Sequence, residues 1–378
     1  MGIPLLNKLI REKCKNLSNC IRQIHFSDLK GKIIAVDTSI YMYKFIGENA
    51  LIDNMYQLIM FFKQNEIIPL FIFDGIAPPE KHELLQIRKN QKDTAENKYK
   101  ELQQKLITIN EPTNEPTNES INEPTNEPTN EPTNEPTNEP INETKKEIIK
   151  EIDILKKKFI RLKNSDIEEV KNLMKLCGVL YYDAEGEADQ LCAKLVISNI
   201  AYACLSDDMD MFVYGCPLIL RYMSLLHLTF ILYDLSEILK YLNVSLHDFK
   251  QICIYSGTDY SNLSYKNSQI DLYKTFNYYE AYINTQNTLI VSNADTTTTK
   301  ENNEFTFYNW LKNNIETDIN NESKYLKLIK IYNMFSVVNL NISHYNIPDD
   351  IYSRLKKKYI CKGPIREFLK RYNFIFTV

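Results

Sequence analysis

Glycine is scarce in this chain, at 9 of 378 residues. No glycine-rich loop of the Walker or dinucleotide-binding kind occurs, which excludes the phosphate-cradling classes built on such loops. No stretch approaches the ~18 consecutive apolar residues of a membrane span. Lys8 interrupts the apolar start that a secretory leader needs, and Leu6 stands where N-myristoylation wants Ser or Thr. The 8 cysteines make no C-x-x-C pair and the 5 histidines are scattered. A zinc site and a disulfide framework are therefore not expected; reduced core cysteines of an intracellular protein are.

The formal net charge of −4 is misleading. Residues 110–143 are a degenerate Asn-Glu-Pro-Thr repeat with nine glutamates and no Lys, Arg or Asp, so the rest of the chain carries +5. Proline at every fourth position excludes helix and central strand, and the repeat has no core-forming residues, so disorder is expected there. Basic clusters stand at Lys156–Lys158, Arg161, Lys163, Arg354, Lys356–Lys358 and Lys370–Arg371. Each is a solvated face by itself and a nucleic-acid surface only where several converge.

Apolar runs predict strands at 32–37, 67–74, 179–182, 201–205, 217–222 and 228–232, and periodicity predicts helices at 1–15, 41–62, 165–177, 187–199 and 235–242. Ser165 is the expected N-cap of its helix, with Glu168 in the capping-box position. The charged stretch 80–105 reads as an exposed helix without a strong apolar face and 145–163 as a basic one. Residues 285–303 read as a loop, with helices again at 325–335 and 365–372. Strands alternating with helices indicate an α/β fold with a largely parallel sheet.

What stands out is where the carboxylates fall. Asp37, Asp74, Asp208 and Asp210 follow apolar runs, while Glu187, Asp189 and Asp259 lie beside turns or helix starts. A strand-end Asp is ordinarily a turn or cap residue. Repetition changes the reading, because strand ends of an open α/β sheet converge on one edge. Carboxylates gathered there repel unless cations neutralise them, and an oxygen-only donor set suits magnesium or manganese. Two such ions form a phosphoryl-transfer clamp. Asp208 and Asp210, two apart on an extended chain, would share one face, with Asp207 pointing away.

These residues resemble a known family. Met1-Gly2-Ile3 with Leu5, Ile34–Ser39 around Asp37, Phe73-Asp74-Gly75 with Pro78-Pro79, Asp183-Ala184 with Glu187-Ala188-Asp189, Ser206–Asp210, and Gly257–Tyr260 occur in order over residues 1–260. The chain is similar in all six to the structure-specific 5′ nucleases of the flap endonuclease/XPG type. Heavy use of Asn, Ile, Lys and Tyr is in keeping with an AT-rich genome such as that of a large DNA virus.

The resemblance implies a PIN-like nuclease core with a helical arch and a mainly helical C-terminal region. It implies a hydrolase using two Mg2+ per chain, with Mn2+ able to substitute. Asp37, Asp74, Glu187 and Asp189 would hold or water-bridge one ion; Asp208, Asp210 and Asp259 would serve the other, with Asp189 near both. Lys81 and Arg88 fall at the spacing of the family's catalytic basic residues, though each could be ordinary helix surface charge. Tyr43 matches an aromatic on which a base stacks, or is core packing. Gly2 matches a residue whose backbone lies near the active site. Glu185 competes with Glu187 as a ligand, but the motif favours Glu187.

The division implied is 1–109, an N-terminal nuclease region with the start of the arch; 110–143, the repeat insertion; 144–260, an internal nuclease region with the acidic motifs; and 261–378, a divergent C-terminal DNA-binding region. Ser261–Thr275 lacks the glycine of the family's potassium-binding helix-two-turn-helix, and no sliding-clamp motif stands near the C-terminus. The expected partner is branched or 5′-ended DNA, the expected state a monomer away from membranes. The expected location is the nucleus, or a cytoplasmic replication site for a viral chain. A catalytically silent DNA-binding protein and an RNA-directed nuclease are the alternatives.

Overall fold

The computed structural model describes residues 2–15, 17–110, 139–260, 271–292, 306–315, 322–345 and 362–374. Most of the repeat, residues 293–303 of the predicted 285–303 loop, the start of 261–275 and Cys361 lie outside them. Contacts group the chain into two compact units, Met1–Leu84 with Leu162–Val378, and Leu85–Arg161.

The first unit is built on a seven-stranded sheet: β1 (Ile21–His25), β2 (Ile33–Asp37), β3 (Ile68–Phe73), β4 (Leu180–Asp183), β5 (Ala203–Leu205), β6 (Leu218–Ser224) and β7 (Thr229–Asp234). Their order is β1-β7-β6-β5-β2-β3-β4. The run β6-β5-β2-β3-β4 is parallel, and β7 and β1 are antiparallel additions. All residues of β2 and β3 are buried, as befits parallel strands covered on both faces. Pro69 sits inside β3 without penalty. Its missing N–H would face β4, whose pairing begins only at Leu70. The sequence reading misses β1: Ile-Arg-Gln-Ile-His has two apolar residues and lies at the sheet edge, where little has to be buried.

The helices are α1 (Leu6–Lys13), α2 (Thr38–Gly47), α3 (Leu51–Gln64), α4 (His82–Asn110), α5 (Glu139–Lys158), α6 (Asn164–Cys177), α7 (Ala188–Ile197), α8 (Asp210–Val213), α9 (Leu235–Leu242), α10 (Leu246–Ser256), α11 (Leu272–Ser292), α12 (Thr306–Asn314), α13 (Glu322–Met334) and α14 (Lys362–Lys370). One core joins α2, α3, α6 and α14 to one face of the sheet. A second joins α1, α7 and α9 to α13 to the other. The β2–β3 connection thus uses one face and α7, between β4 and β5, uses the other. The chain reverses at β2/β5, which is where an open α/β sheet leaves a crevice at its strand ends.

Four element boundaries differ from expectation. Helix α5 begins at Glu139, inside the repeat expected to be disordered, because Pro140 falls in its first turn, where the missing N–H costs nothing. The predicted helix over 41–62 is two helices, because Asn49 takes a left-handed conformation (φ 54°) after Gly47. Helix α6 starts at Asn164 with Lys163, not Ser165, as its N-cap: the Asp166 carboxylate, not Glu168, reaches back to accept the Lys163 N–H at 2.9 Å. The predicted loop from 285 is helical to Ser292, and Thr285 and Thr288 donate their hydroxyls to the carbonyls of Ala281 and Asn284 within it.

The second unit is a pair of helices, most of α4 with α5. Ala95, Leu102, Ile152 and Leu155 are buried between them, with Tyr99, Leu106, Ile148 and Phe159 alongside. Helix α4, which covers most of the 80–105 stretch, therefore does have an apolar stripe, at positions 95, 99, 102 and 106, narrow because it faces one partner helix. Arg161 closes the pair with 2.6 Å ion pairs to Asp93 and Glu96. Among the described residues no helix is long and apolar enough to cross a membrane.

Candidate metal centre

Three parallel strands bring carboxylates to one edge. Asp37 ends β2, Asp74 follows β3, and Asp208 and Asp210 follow β5. Glu187 is the N-cap of α7 in an extended conformation and Asp189 lies in that helix's first turn. With Glu187 just outside the helix, the two side chains escape the divergence that two-residue spacing imposes within one. Asp259 follows Gly257, which ends α10 with φ 116°, a conformation open to glycine.

Hydrogen bonds cross between these strands. Ser206 Oγ donates to Asp37 Oδ2 at 3.0 Å and accepts the Asp208 N–H at 3.1 Å. Asp74 Oδ1 accepts the Ala188 N–H at 2.8 Å, fixing the start of α7 against β3. Asp208 Oδ1 accepts the Asp210 N–H at 3.1 Å. The expectation that Asp208 and Asp210 share a strand face is corrected here. Strand β5 stops at Leu205 and Asp210 already opens α8, so a turn, not a pleat, brings the two together. Asp207 turns aside, as expected, and its Oδ1 accepts the Tyr222 N–H at 2.9 Å.

Gly2 closes the cluster from the N-terminus. A Cβ on it would stand 2.4 Å from both Asp208 Oδ1 and Asp210 Oδ1, and its φ of 77° favours glycine. Gly75 is equally constrained: a Cβ there would meet the Ala184 carbonyl oxygen at 1.9 Å.

The electrostatics are those of charges that want a cation. Asp37, 3% exposed, is pushed up to about 7 by burial and then by Asp74, against the Ser206 hydrogen bond. Burial, then Asp37, Asp208, Asp74 and Asp210, raise Asp189 well above the carboxylate range. Burial, then Asp208 and Asp259, raise Asp210. Burial also raises Asp208, against the hydrogen bond from Asp210. Oδ1 of Asp189 and Oδ1 of Asp210 are buried with no hydrogen-bond partner, an expensive condition for a carboxylate.

Lys81 stands in the 3-10 turn Pro79–Lys81, with its side chain 16% exposed. Its ammonium donates to Glu187 Oε1 and lies 5.6 Å from the centre of the Tyr260 ring. Burial pulls it down, but pairing with Glu187, then Asp189 and Asp210, outweighs this and its pKa ends above the ordinary lysine value. It is not an exposed helix charge. Tyr260 donates its hydroxyl to Glu187 Oε2 and meets the Tyr214 hydroxyl at 3.1 Å. Both Glu187 oxygens are thus engaged by protein groups, a state suited to reaching a metal through water.

Tyr43 is 40% exposed, which rules out core packing. Glu185 is exposed and offers its backbone N–H to Tyr345. Arg88 belongs to the second unit, in α4. Of the eight cysteines, the seven described are free and buried.

Among the described residues no three Asp, Glu, His or Cys side chains already close on one point as a finished metal cage. The donors nonetheless fit a hard divalent cation. They are all oxygen, two buried carboxylate oxygens lack partners, and burial with mutual repulsion raises four carboxyl groups.

Comparison with known proteins places two family regions on this chain. The family model for the XPG N-terminal domain matches residues 1–95 and that for the XPG I-region matches 178–259, together spanning Asp37, Asp74, Glu187, Asp189, Asp208, Asp210 and Asp259. The chain carries both XPG regions, in that order. A model described as PT disordered repeat matches 109–147, between the two XPG regions. Among relatives of this XPG-type chain, the "Probable RAD2-like endonuclease 369L" of Invertebrate iridescent virus 6 is 25% identical over 300 residues, covering 72% of this chain and 70% of that one. Flap endonuclease 1 of Homo sapiens is 26% identical over 279 residues, covering 69% of this chain but only 62% of its own length. In fold, the catalytic core of Rad2 in complex with DNA substrate matches with a TM-score of 0.55 at 18% identity, over 98% of this chain and 99% of that one. Human GEN1 in complex with Holliday junction DNA matches with a TM-score of 0.50 at 14% identity, over 98% and 78%. The fold is that of the Rad2/GEN1 nuclease cores.

Ser206 and Tyr260, which hold Asp37 and Glu187, are not singled out by the sequence; both stand next to acidic residues within the motifs. Arg221, a charge inside the apolar strand LILRYMS, holds the Asp207 carbonyl and is not singled out either.

Proposed function

We propose that this XPG-type chain is a magnesium-dependent, structure-specific DNA nuclease. It would hydrolyse phosphodiester bonds near single-strand/duplex junctions of branched or 5′-ended DNA, in replication, repair or recombination. The observation that carries the reading is the crowding of carboxylates at the sheet's switch point, with Asp208 and Asp210 packed against Gly2 and orphaned buried oxygens on Asp189 and Asp210. Such a cluster is costly as a structural device and useful as a divalent-metal holder.

Asp37, Asp74 and Asp189, with Glu187 acting through water, would hold one ion; Asp208, Asp210 and Asp259 would hold the second. Bound divalent ions would supply a nucleophilic water and stabilise charge on the scissile phosphate. Lys81, kept protonated beside Glu187, would face the charge that develops on that phosphate. Arg88 is assigned the same role on its sequence spacing. Exposed Tyr43 would stack a base beside the cut. Gly2, lacking a Cβ, leaves Asp208 and Asp210 free to turn toward the ions. Products would carry 5′-phosphates, and the chain would act as a monomer, in the nucleus or at a cytoplasmic replication site.

The test is cleavage of end-labelled flap, nicked, gapped and bubble DNA, with matched RNA, in Mg2+ and in EDTA. Mg2+-dependent cutting at the junction, abolished by Asp208→Ala, is the expected result. Equal cutting by the variant, or a preference for RNA, overturns the reading. Binding without any cutting leaves a DNA-binding protein that has kept only the fold.

A further inference from the structure

Arg221 lies in the middle of β6, next to β5, and is 4% exposed. Its Nη1 donates to Asn7 Oδ1 at 2.9 Å and its Nη2 to the Asp207 carbonyl at 2.7 Å. Its guanidinium carbon lies 4.9 Å from the Tyr222 ring centre and 5.5 Å from that of Tyr233. Among the described residues no carboxylate forms an ion pair with it. A buried cation without a carboxylate partner is costly, so its position asks for a purpose other than stability.

The Asp207 carbonyl belongs to the peptide that continues into Asp208. Fixing that oxygen fixes the peptide plane and with it where the Asp208 side chain starts. The adjacent Tyr222 N–H holds the Asp207 carboxylate, from a residue in a left-handed conformation (φ 52°). Asp207 is therefore gripped at both its carbonyl and its side chain by consecutive residues of β6. The guanidinium's other arm holds Asn7 in α1, five residues after Gly2. Gly2 in turn abuts Asp208 and Asp210. One side chain ties together the two segments that meet at those carboxylates.

We infer that Arg221 is a positioning residue for the metal centre: it sets the 207–208 peptide, and thereby Asp208 and Asp210, in the geometry that binds a divalent cation. The inference rests on the metal-centre reading above. Supports standing behind metal ligands are commonly worth 10–100-fold in affinity. Lysine in place of Arg221 keeps the charge but cannot span Asn7 and Asp207 with a fixed fork.

The test is Mn2+ titration of the DNA-free protein followed by paramagnetic resonance, with Mg2+-induced change in melting temperature as a second readout. Wild type, Arg221→Lys and Asp207→Ala are compared. Arg221→Lys is expected to need at least about tenfold more Mn2+ for half-saturation, with a correspondingly smaller Mg2+ effect on melting. Asp207→Ala, which removes the Tyr222 tether and leaves the carbonyl in place, is expected to shift it less but in the same direction. A folded Arg221→Lys with wild-type Mn2+ affinity overturns the inference. If Arg221→Lys does not fold, unchanged affinity in Asp207→Ala overturns it instead, and raised half-saturation supports it. Failure of the wild type itself to bind Mn2+ overturns the metal-centre reading and this inference with it, a result distinct from a wild type that binds and a variant that binds as well.

Discussion

Replacing Asp37 by Asn should stabilise the metal-free protein at alkaline pH, although it removes a proposed ligand. The ordinary value of the carboxyl is 3.8, and burial first, Asp74 second, push it up to about 7. The sign follows from linkage. Below pH ~4 the group is protonated in both folded and unfolded chains and costs nothing. As pH rises toward 7 the unfolded chain ionises while the folded one keeps its proton, so stability falls. Above 7 both are ionised and the loss is complete. Each tenfold difference in proton affinity is ~1.36 kcal/mol, so the ionised carboxylate costs the fold roughly 4 kcal/mol. With roughly 300 described residues and ~2.1 cal/mol/K each, this is about 6 °C in melting temperature. The Asn side chain keeps an oxygen for the Ser206 hydroxyl, so the hydrogen bond survives. The assay is thermal unfolding of both proteins in EDTA from pH 5 to 8. The Asp37→Asn variant should melt several degrees higher than wild type at pH 8 and differ much less at pH 5. Added Mg2+ should then narrow the gap, because ligand binding lifts the wild type by ~2.7 kcal/mol at a hundred times its dissociation constant. A variant that melts lower than wild type at pH 8 in EDTA would refute the reasoning, since Asp37 would then be a stabilising charge in the absence of metal.

Three further outcomes are expected. Lys81→Met should lower the cleavage rate by ~10²–10³, the cost of losing one preorganised charge partner, with the DNA KM nearly unchanged; an equal rate in single-turnover kinetics rules that role out. Gly2→Ala should weaken Mn2+ binding and slow cleavage by at least tenfold, because its Cβ would press on Asp208 Oδ1 and Asp210 Oδ1 at 2.4 Å; wild-type Mn2+ affinity would show that the N-terminus does not shape the centre. Gly75→Ala should destabilise by ~3 kcal/mol or more in urea unfolding, since the added carbon meets backbone that a side-chain rotation cannot move; a loss under ~1 kcal/mol would mean the 184–186 loop is soft.

The parallel core was legible because β2 and β3 are apolar throughout, the mark of strands covered on both faces. The acidic positions were legible because each interrupts such a run. What stayed hidden was whatever depends on pairing at a distance. Strand β1 follows no hydrophobic pattern; its partner β7 alone makes it a strand. Tyr260 grips Glu187 across 73 residues and Arg221 holds Asn7 across 214, and no local periodicity encodes either. Asp208 and Asp210 show a subtler limit. The two do come together, but by a turn into α8 and not by strand alternation. Spacing alone could not tell the two routes apart.

The same distinction explains how the chain carries some hundred residues between Asp74 and Glu187 without parting them. Phe73 pairs with Asp183 at the ends of β3 and β4. Beyond them the Gly75 N–H donates to the Gly186 carbonyl at 2.7 Å and the Ile76 N–H to the Glu185 carbonyl at 3.1 Å, while the Ala188 N–H reaches the Asp74 side chain. All of these atoms but the Asp74 oxygen are backbone, and all lie in the first unit. The separation of the two acidic segments is therefore set by sheet register and by a backbone-to-backbone approach that only glycine at 75 permits, not by the length of chain that leaves and returns. Sequence added inside 85–161 changes the loop-closure term only logarithmically. It leaves the placement of Asp74 against Glu187 and Asp189 untouched. A four-residue repeat can thus expand in that segment without disturbing the carboxylates on which the proposed chemistry depends.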